Sequence, residues 1–320
     1  MLEDRTDHVN AFSEATSFTL PKKSFAATGL ALIEARGLDA AKLLQGQLTC
    51  NINDLSASKA SIAGFCNAKG RVISTLLVVK SLESFYLILP ADLLDTVLKK
   101  LRMYVLRADV KLYDQTENIQ ILGINSCPNL SPEFTLPADS FAVAQIPLTT
   151  IKLPGAARYL VLGTPTEIDE LTCLLGSQYA FESGSLTEWR YHDISTALPW
   201  FDISQSEQHI PQMLGIDQLG GVSFSKGCYT GQEIVARSHY LGKVKRALFV
   251  AECLLLPGGV ISGCKVLDSI SQQNMGCVLT NAVWADTNRA LLVLQIVDGL
   301  PKNLILDDDY RTPVTIISDQ

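Results

Sequence analysis

The run from Ser225 to Arg237, Ser-Lys-Gly-Cys-Tyr-Thr-Gly-Gln-Glu-Ile-Val-Ala-Arg, carries the best-motivated chemistry in the chain. Thr230 followed three residues later by Glu233 reads as a capping box opening a helix through Ile234, Val235 and Ala236. Cys228 then lies two residues before the cap, near unpaired N–H groups and the positive end of the helix dipole, with Lys226 close by. Both features favour the thiolate, so Cys228 is the one cysteine with a stated reason to react. Arg237, four residues after Glu233, is spaced to pair with it along the helix. Spacing leaves three chemistries open: a redox thiol, a ligand to a metal or cluster, and a nucleophile. A well-capped helix preceded by an inert cysteine is the plainer alternative.

Other groups could complete a binding site. Tyr229 with Lys226, Arg237 and Lys243 would suit a ligand that is aromatic at one end and anionic at the other. Gln45-Gly46-Gln47 offers amides beside a flexible backbone. Trp189, in Leu-Thr-Glu-Trp-Arg-Tyr-His, would either stack on a heteroaromatic ring or fill a core. The remaining seven cysteines form no CxxC pair and fit neither a zinc ribbon nor a ferredoxin pattern, so no stable protein-bound metal is expected. His192 and Asp193 are adjacent, which by itself builds no base and orienting partner. Dinucleotide, phosphate-loop, zincin and nucleophile-elbow signatures are all missing.

The elements that must position these groups follow from periodicity. Gly29 to Gly37 reads as a strand, and Leu38 to Leu44 as a helix with Asp39 at its start. Two apolar stretches around Asn67-Ala68-Lys69-Gly70 read as a hairpin, with Val72 to Val79 an inner strand. Phe85 to Pro90 is a further strand and Asp92 to Leu101 a helix, with Lys99 and Lys100 complementing its dipole. Ile119 to Asn125 and Arg158 to Gly163 are strands, and Pro165 to Tyr179 a helix capped by Thr166. This order implies paired split βαβ units. From Val244, short β-rich runs broken by Pro-Gly-Gly and Asp-Thr-Asn turns imply a small barrel or sandwich. The organisation expected is an N-terminal arm over 1–24, α/β parts over 25–115 and 116–243, and a β-barrel over 244–320. A charge of -7 gives no broad basic field for nucleic acid or anionic lipid. The polar start has no signal-peptide pattern, and no apolar run approaches the roughly 20 residues of a membrane span. A cytoplasmic protein without membrane contact is therefore expected.

Lys226-Gly227-Cys228-Tyr229-Thr230-Gly231-Gln232-Glu233, followed by Ile-Val-Ala-Arg, resembles the signature of folate-binding, tRNA-modifying proteins related to the glycine-cleavage T-protein. That group includes a mitochondrial iron–sulfur assembly factor. The resemblance extends to residues 43–53 and 66–72 and to the neighbourhood of Trp189, spanning about residue 25 to the end. It implies an α+β fold, with ferredoxin-like split βαβ domains of the T-protein type and a C-terminal β-barrel around a tetrahydrofolate pocket. Carried over by position, it implies Cys228 as functional thiol. It also implies Trp189, Lys226, Gly227, Tyr229, Gln232, Glu233 and Arg237 as contacts to tetrahydrofolate or another reduced folate, with Gly227 permitting an exposed turn. Two departures stand out. An aromatic residue of the first strand is Leu30 here, for which Phe25 or Phe65 would substitute. The catalytic carboxylate of true aminomethyltransferases, expected near Ile73 or Ser74, is missing. The resemblance thus implies a non-enzymatic folate-binding accessory protein for iron–sulfur cluster assembly or repair. Its clients would include methylthiotransferase-type enzymes, with tRNA contacted indirectly. The alternatives are a folate-dependent one-carbon transferase and a direct tRNA-binding protein using Lys243, Lys245 and Arg246.

Overall fold

The computed structural model describes residues 21–125, 136–240, 242, 244–254, 262–296 and 301–317. Lys243, Cys127 and residues 1–20 of the expected arm lie outside them.

After β1 (Lys23–Phe25), the chain builds a sheet from β2 (Leu30–Arg36), β3 (Ser61–Cys66), β4 (Val72–Lys80), β5 (Ser84–Pro90) and β6 (Lys111–Asp114). Its order is β3-β4-β5-β2-β6, all neighbours antiparallel. Helices α1 (Ala40–Gln47) and α2 (Leu94–Val105) connect its strands, which makes β6-β2-β5-β4 a ferredoxin-like core with β3 added at one edge. Strand β4 is buried from Val72 to Val79, and the Thr75 hydroxyl is satisfied by the Pro199 carbonyl at 2.9 Å. Asp39 precedes α1 but does not cap it; its carboxylate accepts the Asp109 N–H at 2.9 Å instead. Helix α2 opens with a 3₁₀ turn over Ala91–Leu93 and runs on to Val105. Arg102, rather than Lys99 or Lys100, therefore stands in its last turn, donating to the Leu112 carbonyl at 3.1 Å.

The second unit contains β7 (Gln120–Asn125), β8 (Val143–Ala144), β9 (Thr149–Lys152), β10 (Arg158–Gly163), α3 (Pro165–Tyr179) and β11 (Glu182–Ser183). Its sheet order is β11-β1-β7-β10-β9-β8, so β1 belongs to the second sheet and crosses the boundary expected at residue 24. Helix α3 is capped by Thr164, not Thr166: Pro165 takes the first helical position, which needs no N–H, and Glu167 completes the capping box.

Helix α4 (Leu186–Ser195) follows, with Glu188, Trp189, Tyr191, His192, Asp193 and Ile194 all buried. It packs the second sheet against a closed barrel. Between them, residues 196–231 and α5 (Gln232–Tyr240) return to the first sheet, where Val72 N–H bonds the His209 carbonyl and Ser223 N–H the Thr49 carbonyl. The signature run, grouped by sequence with the second α/β part, therefore docks on the first. The barrel comprises β12 (Arg246–Cys253), β13 (Lys265–Asp268), β14 (Asn274–Trp284), β15 (Thr287–Gln295), β16 (Leu304–Leu306) and β17 (Pro313–Ile316). It closes in the order β12-β15-β14-β13-β16-β17 around Val266, Val278, Ala290, Leu292 and Leu294. Among the described residues no helix is long and apolar enough to cross a membrane.

Candidate functional site

The signature run is fastened to the end of α1 and to the β3–β4 turn. Lys226 Nζ donates to the carbonyls of Leu48 (2.8 Å) and Cys50 (2.6 Å) and lies 5.1 Å from the Tyr229 ring centre. Its ammonium is committed to those carbonyls, not to the role of cationic neighbour that the spacing gives it beside Cys228. Burial pushes its pKa down to about 8. Burial also raises the Cys50 thiol to about 11, leaving it protonated at neutral pH. Thr230 does not form the expected capping box. Helix α5 begins at Gln232, and the Thr230 hydroxyl donates to Gln47 Oε1 at 3.1 Å, so long-range docking has taken the group that local spacing assigned to Glu233. Tyr229 is buried and Gln232 half-buried, while Gly227, Cys228, Glu233 and Arg237 are exposed. No ion pair joins Glu233 to Arg237 among the described residues; an exposed pair of this kind gains only about 0.3–0.5 kcal/mol, little against the entropy of two long side chains.

Two glycines of this region behave differently. At Gly227 an added Cβ would meet nothing within 4 Å, so the chain's own packing does not require glycine there. Gly231, which the sequence reading did not single out, has φ +84°, and an added Cβ would lie 2.5 Å from the Asn67 carbonyl oxygen and 2.8 Å from Gly70 Cα. Both obstacles are backbone. Gly231→Ala is expected to lose about 2–4 kcal/mol from strain and overpacking together. An unchanged urea midpoint and slope in the variant would show that the two loops part without cost.

Trp189 is a core residue rather than a stacking platform. It is 0% exposed, with the Arg158 guanidinium 4.3 Å from its ring centre, the Phe25 ring at 5.1 Å, and Gly123 giving its ring room on the sheet. The register Lys23↔Asn125↔Arg158 sets those three side chains on one face of the second sheet, opposite α4. Lys23 pairs with Glu188 at 2.8 Å and Arg158 with Asp193 at 2.5 Å. Burial, followed by the charges of Arg158, Lys23 and Arg289, pushes His192 down to about 3, so it stays neutral and is no acid or base near pH 7. Among the described residues, Asn125 Nδ2 and Oδ1, Trp189 Nε1 and His192 Nε2 are buried there without a hydrogen-bond partner.

A cavity of about 450 Å³ opens where the first sheet, α4 and the barrel meet. Leu30 and Asp92 come from the first unit, Arg190 from α4, Trp200 and Phe201 from the following loop, and Thr280 from the barrel. Of the residues singled out from sequence, Leu30 and Asp193 line it; the proposed replacements for an aromatic at Leu30, Phe25 and Phe65, are fully buried in the core and do not. Arg190, Trp200 and Phe201 were missed, although Arg190 adjoins Trp189 and an aromatic pair follows Leu198-Pro199. A second cavity, also about 450 Å³, lies beside the signature run between Asn51, Lys59, Ser223, Phe224, Ser225 and Tyr240. Cys228 lines neither. Among the described residues no group of three or more His, Cys, Asp or Glu is placed to hold a metal ion.

Two α/β units joined to a closed six-stranded barrel define an aminomethyltransferase-like α+β fold. The structure matches glycine cleavage system aminomethyltransferase T from Bartonella henselae with a TM-score of 0.70, over 98% of this chain and 88% of that one, at 11% identity. No family model matches the chain. It is 32% identical over 222 residues to tRNA-modifying protein YgfZ of Colwellia psychrerythraea, covering 68% of this chain and 67% of that protein. It is 36% identical over 225 residues to the proteins of that name from Yersinia pseudotuberculosis and Yersinia pestis, with the same coverage. The chain belongs to the tRNA-modifying protein YgfZ family.

Proposed function

We propose that the protein binds a reduced folate in the cavity between its three units and supports iron–sulfur enzymes, including the radical enzymes that modify tRNA. The cavity carries the reading. Its volume of about 450 Å³ falls within the range of small-molecule sites, roughly 300–1,000 Å³. Trp200 and Phe201 offer aromatic surface for a pterin. Asp92 holds the Ile203 N–H with one carboxylate oxygen and has the other for the pterin's amino edge. Exposed Arg190 suits the glutamate tail. Separation of Cys228 from this cavity favours an accessory role over group transfer, because an exposed thiol faces a partner rather than the folate. The position of the aminomethyltransferase carboxylate points the same way: Ile73 and Ser74 are buried and offer no acid. The relatives' names place that family in tRNA modification, and we read the effect on tRNA as indirect, through methylthiotransferase-type clients.

Calorimetric titration with tetrahydrofolate tests the ligand. Wild type should bind, Arg190→Ala should weaken binding about tenfold, and Leu30→Trp should tighten it by restoring an aromatic wall. A folded wild type that takes up no tetrahydrofolate ends the folate reading; equal affinity in all three moves the ligand out of this cavity. Trp189→Ala is a poor probe, since removing a fully buried indole costs about 3–5 kcal/mol whatever the ligand does.

A further inference from the structure

We propose that Lys226 is a positioning residue: together with Thr230 it clasps the C-terminal end of α1 and thereby holds Cys228 at the apex of a loop anchored on both sides. The last carbonyls of a helix lack intrahelical partners and carry its negative end. Helix α1 has no basic residue of its own in its last turn. A cation arrives from far along the chain, as Lys226 Nζ donates at 2.8 Å to O of Leu48, the residue that closes the helix, and at 2.6 Å to O of Cys50 just beyond it. Thr230 grips the same helix end through its N–H to Gly46 O at 3.1 Å and its hydroxyl to Gln47 Oε1 at 3.1 Å. Between these two anchors stand Gly227 and Cys228, both exposed, and Tyr229, buried with its ring centre 5.1 Å from the lysine Nζ.

Burial lowers the lysine's pKa to about 8, yet a neutral amine still keeps two hydrogens, one for each carbonyl. The clasp therefore survives across the physiological range and works as a fixture. Its role rests on the proposed function only in naming Cys228 as the group held in place, and its test involves neither folate nor cluster.

Amide hydrogen exchange and iodoacetamide labelling mapped by mass spectrometry, on the full chain, provide that test. Lys226→Met keeps the stem and removes the donors. It should speed exchange of the Thr230 amide at least about tenfold, since a hydrogen bond to a charged group is lost at an opening loop. Cys50, only 1% exposed, should become open to labelling. Lys226→Arg, which retains charge and donors, should restore much of the protection, a rescue that stem packing alone would not give. Protection in Lys226→Met equal to wild type, or equal loss in the Met and Arg variants, overturns the proposal. Should Lys226→Met fail to fold, Thr230→Val decides: exchange about threefold faster in the loop supports the clasp, and unchanged exchange refutes it.

Discussion

Replacing Arg158 with methionine is expected to lower stability by about 3–5 kcal/mol, the usual cost of stranding one member of a buried ion pair. The Arg158 side chain is 1% exposed and the Asp193 side chain 6%, with 2.5 Å between guanidinium and carboxylate. The guanidinium also covers the Trp189 ring at 4.3 Å, so methionine loses a cation–π contact as well as a charge. In the native protein burial pushes the Asp193 carboxyl up, while Arg158 pulls it back down. Without Arg158 the upward push of burial is opposed only by the weaker pull of the Arg190 charge. Asp193 then binds its proton more tightly folded than unfolded, so stability is gained at low pH and lost as pH rises through the raised value. The deficit of Arg158→Met should accordingly be smallest in acid and largest above neutrality. Adding Asp193→Leu to the same chain should recover most of the loss, because no charge then remains buried alone. Urea unfolding of the single and double variants at pH 5 and pH 8 separates these outcomes. A single variant as stable as wild type at both pH values would mean that the pair is solvated through the adjoining cavity. Since Arg190, Asp193 and Ile194 of the same helix line that cavity, any tilt of α4 would also move its wall.

How much of this was legible in the sequence depended on the reach of each interaction. The β3–β4 hairpin could be read because Asn67 closes its own turn, its side chain accepting from the N–H groups of Lys69 and Arg71 at 2.9 and 3.0 Å. Strand β10 and helix α3 carried their signals within a few residues, and only the cap was displaced, by the proline. The all-β texture after residue 243 announced a small barrel or sandwich, but neither the choice of barrel nor its closure order, which depends on pairings between strands far apart in sequence. The signature run shows the opposite case. Its residues carried the family resemblance, yet the partners of Lys226 and Thr230 stand 176 to 183 residues away, beyond any spacing rule. Trp189 was ambiguous for the same reason. Whether its ring meets a ligand or Arg158 depends on a register between β7 and β10 that no local pattern encodes.

Under the proposed accessory role, Cys228→Ser should abolish most of the support of iron–sulfur clients while leaving the fold intact. The thiol is exposed and lines neither cavity, so its replacement by a hydroxyl of nearly equal size disturbs no packing. Melting should stay within about 2 °C of wild type, as a change well under 1 kcal/mol allows. The chemistry is another matter. A hydroxyl offers no sulfur to bind soft iron or to carry a persulfide, so client activity should drop to about a tenth or less. Cys173→Ser is the matched control, because that cysteine is also exposed but sits on α3, away from the signature run. The measurement is tRNA methylthiolation and client-enzyme activity in cells lacking the endogenous protein, complemented separately by wild type and each serine variant. Rescue by Cys173→Ser alongside failure of Cys228→Ser would locate the function in the clasped loop. Full rescue by both would remove the thiol from the mechanism while leaving the proposed folate cavity as the candidate working site. Unaltered methylthiolation in cells lacking the protein altogether would instead overturn the accessory role and turn attention to one-carbon transfer at the cavity.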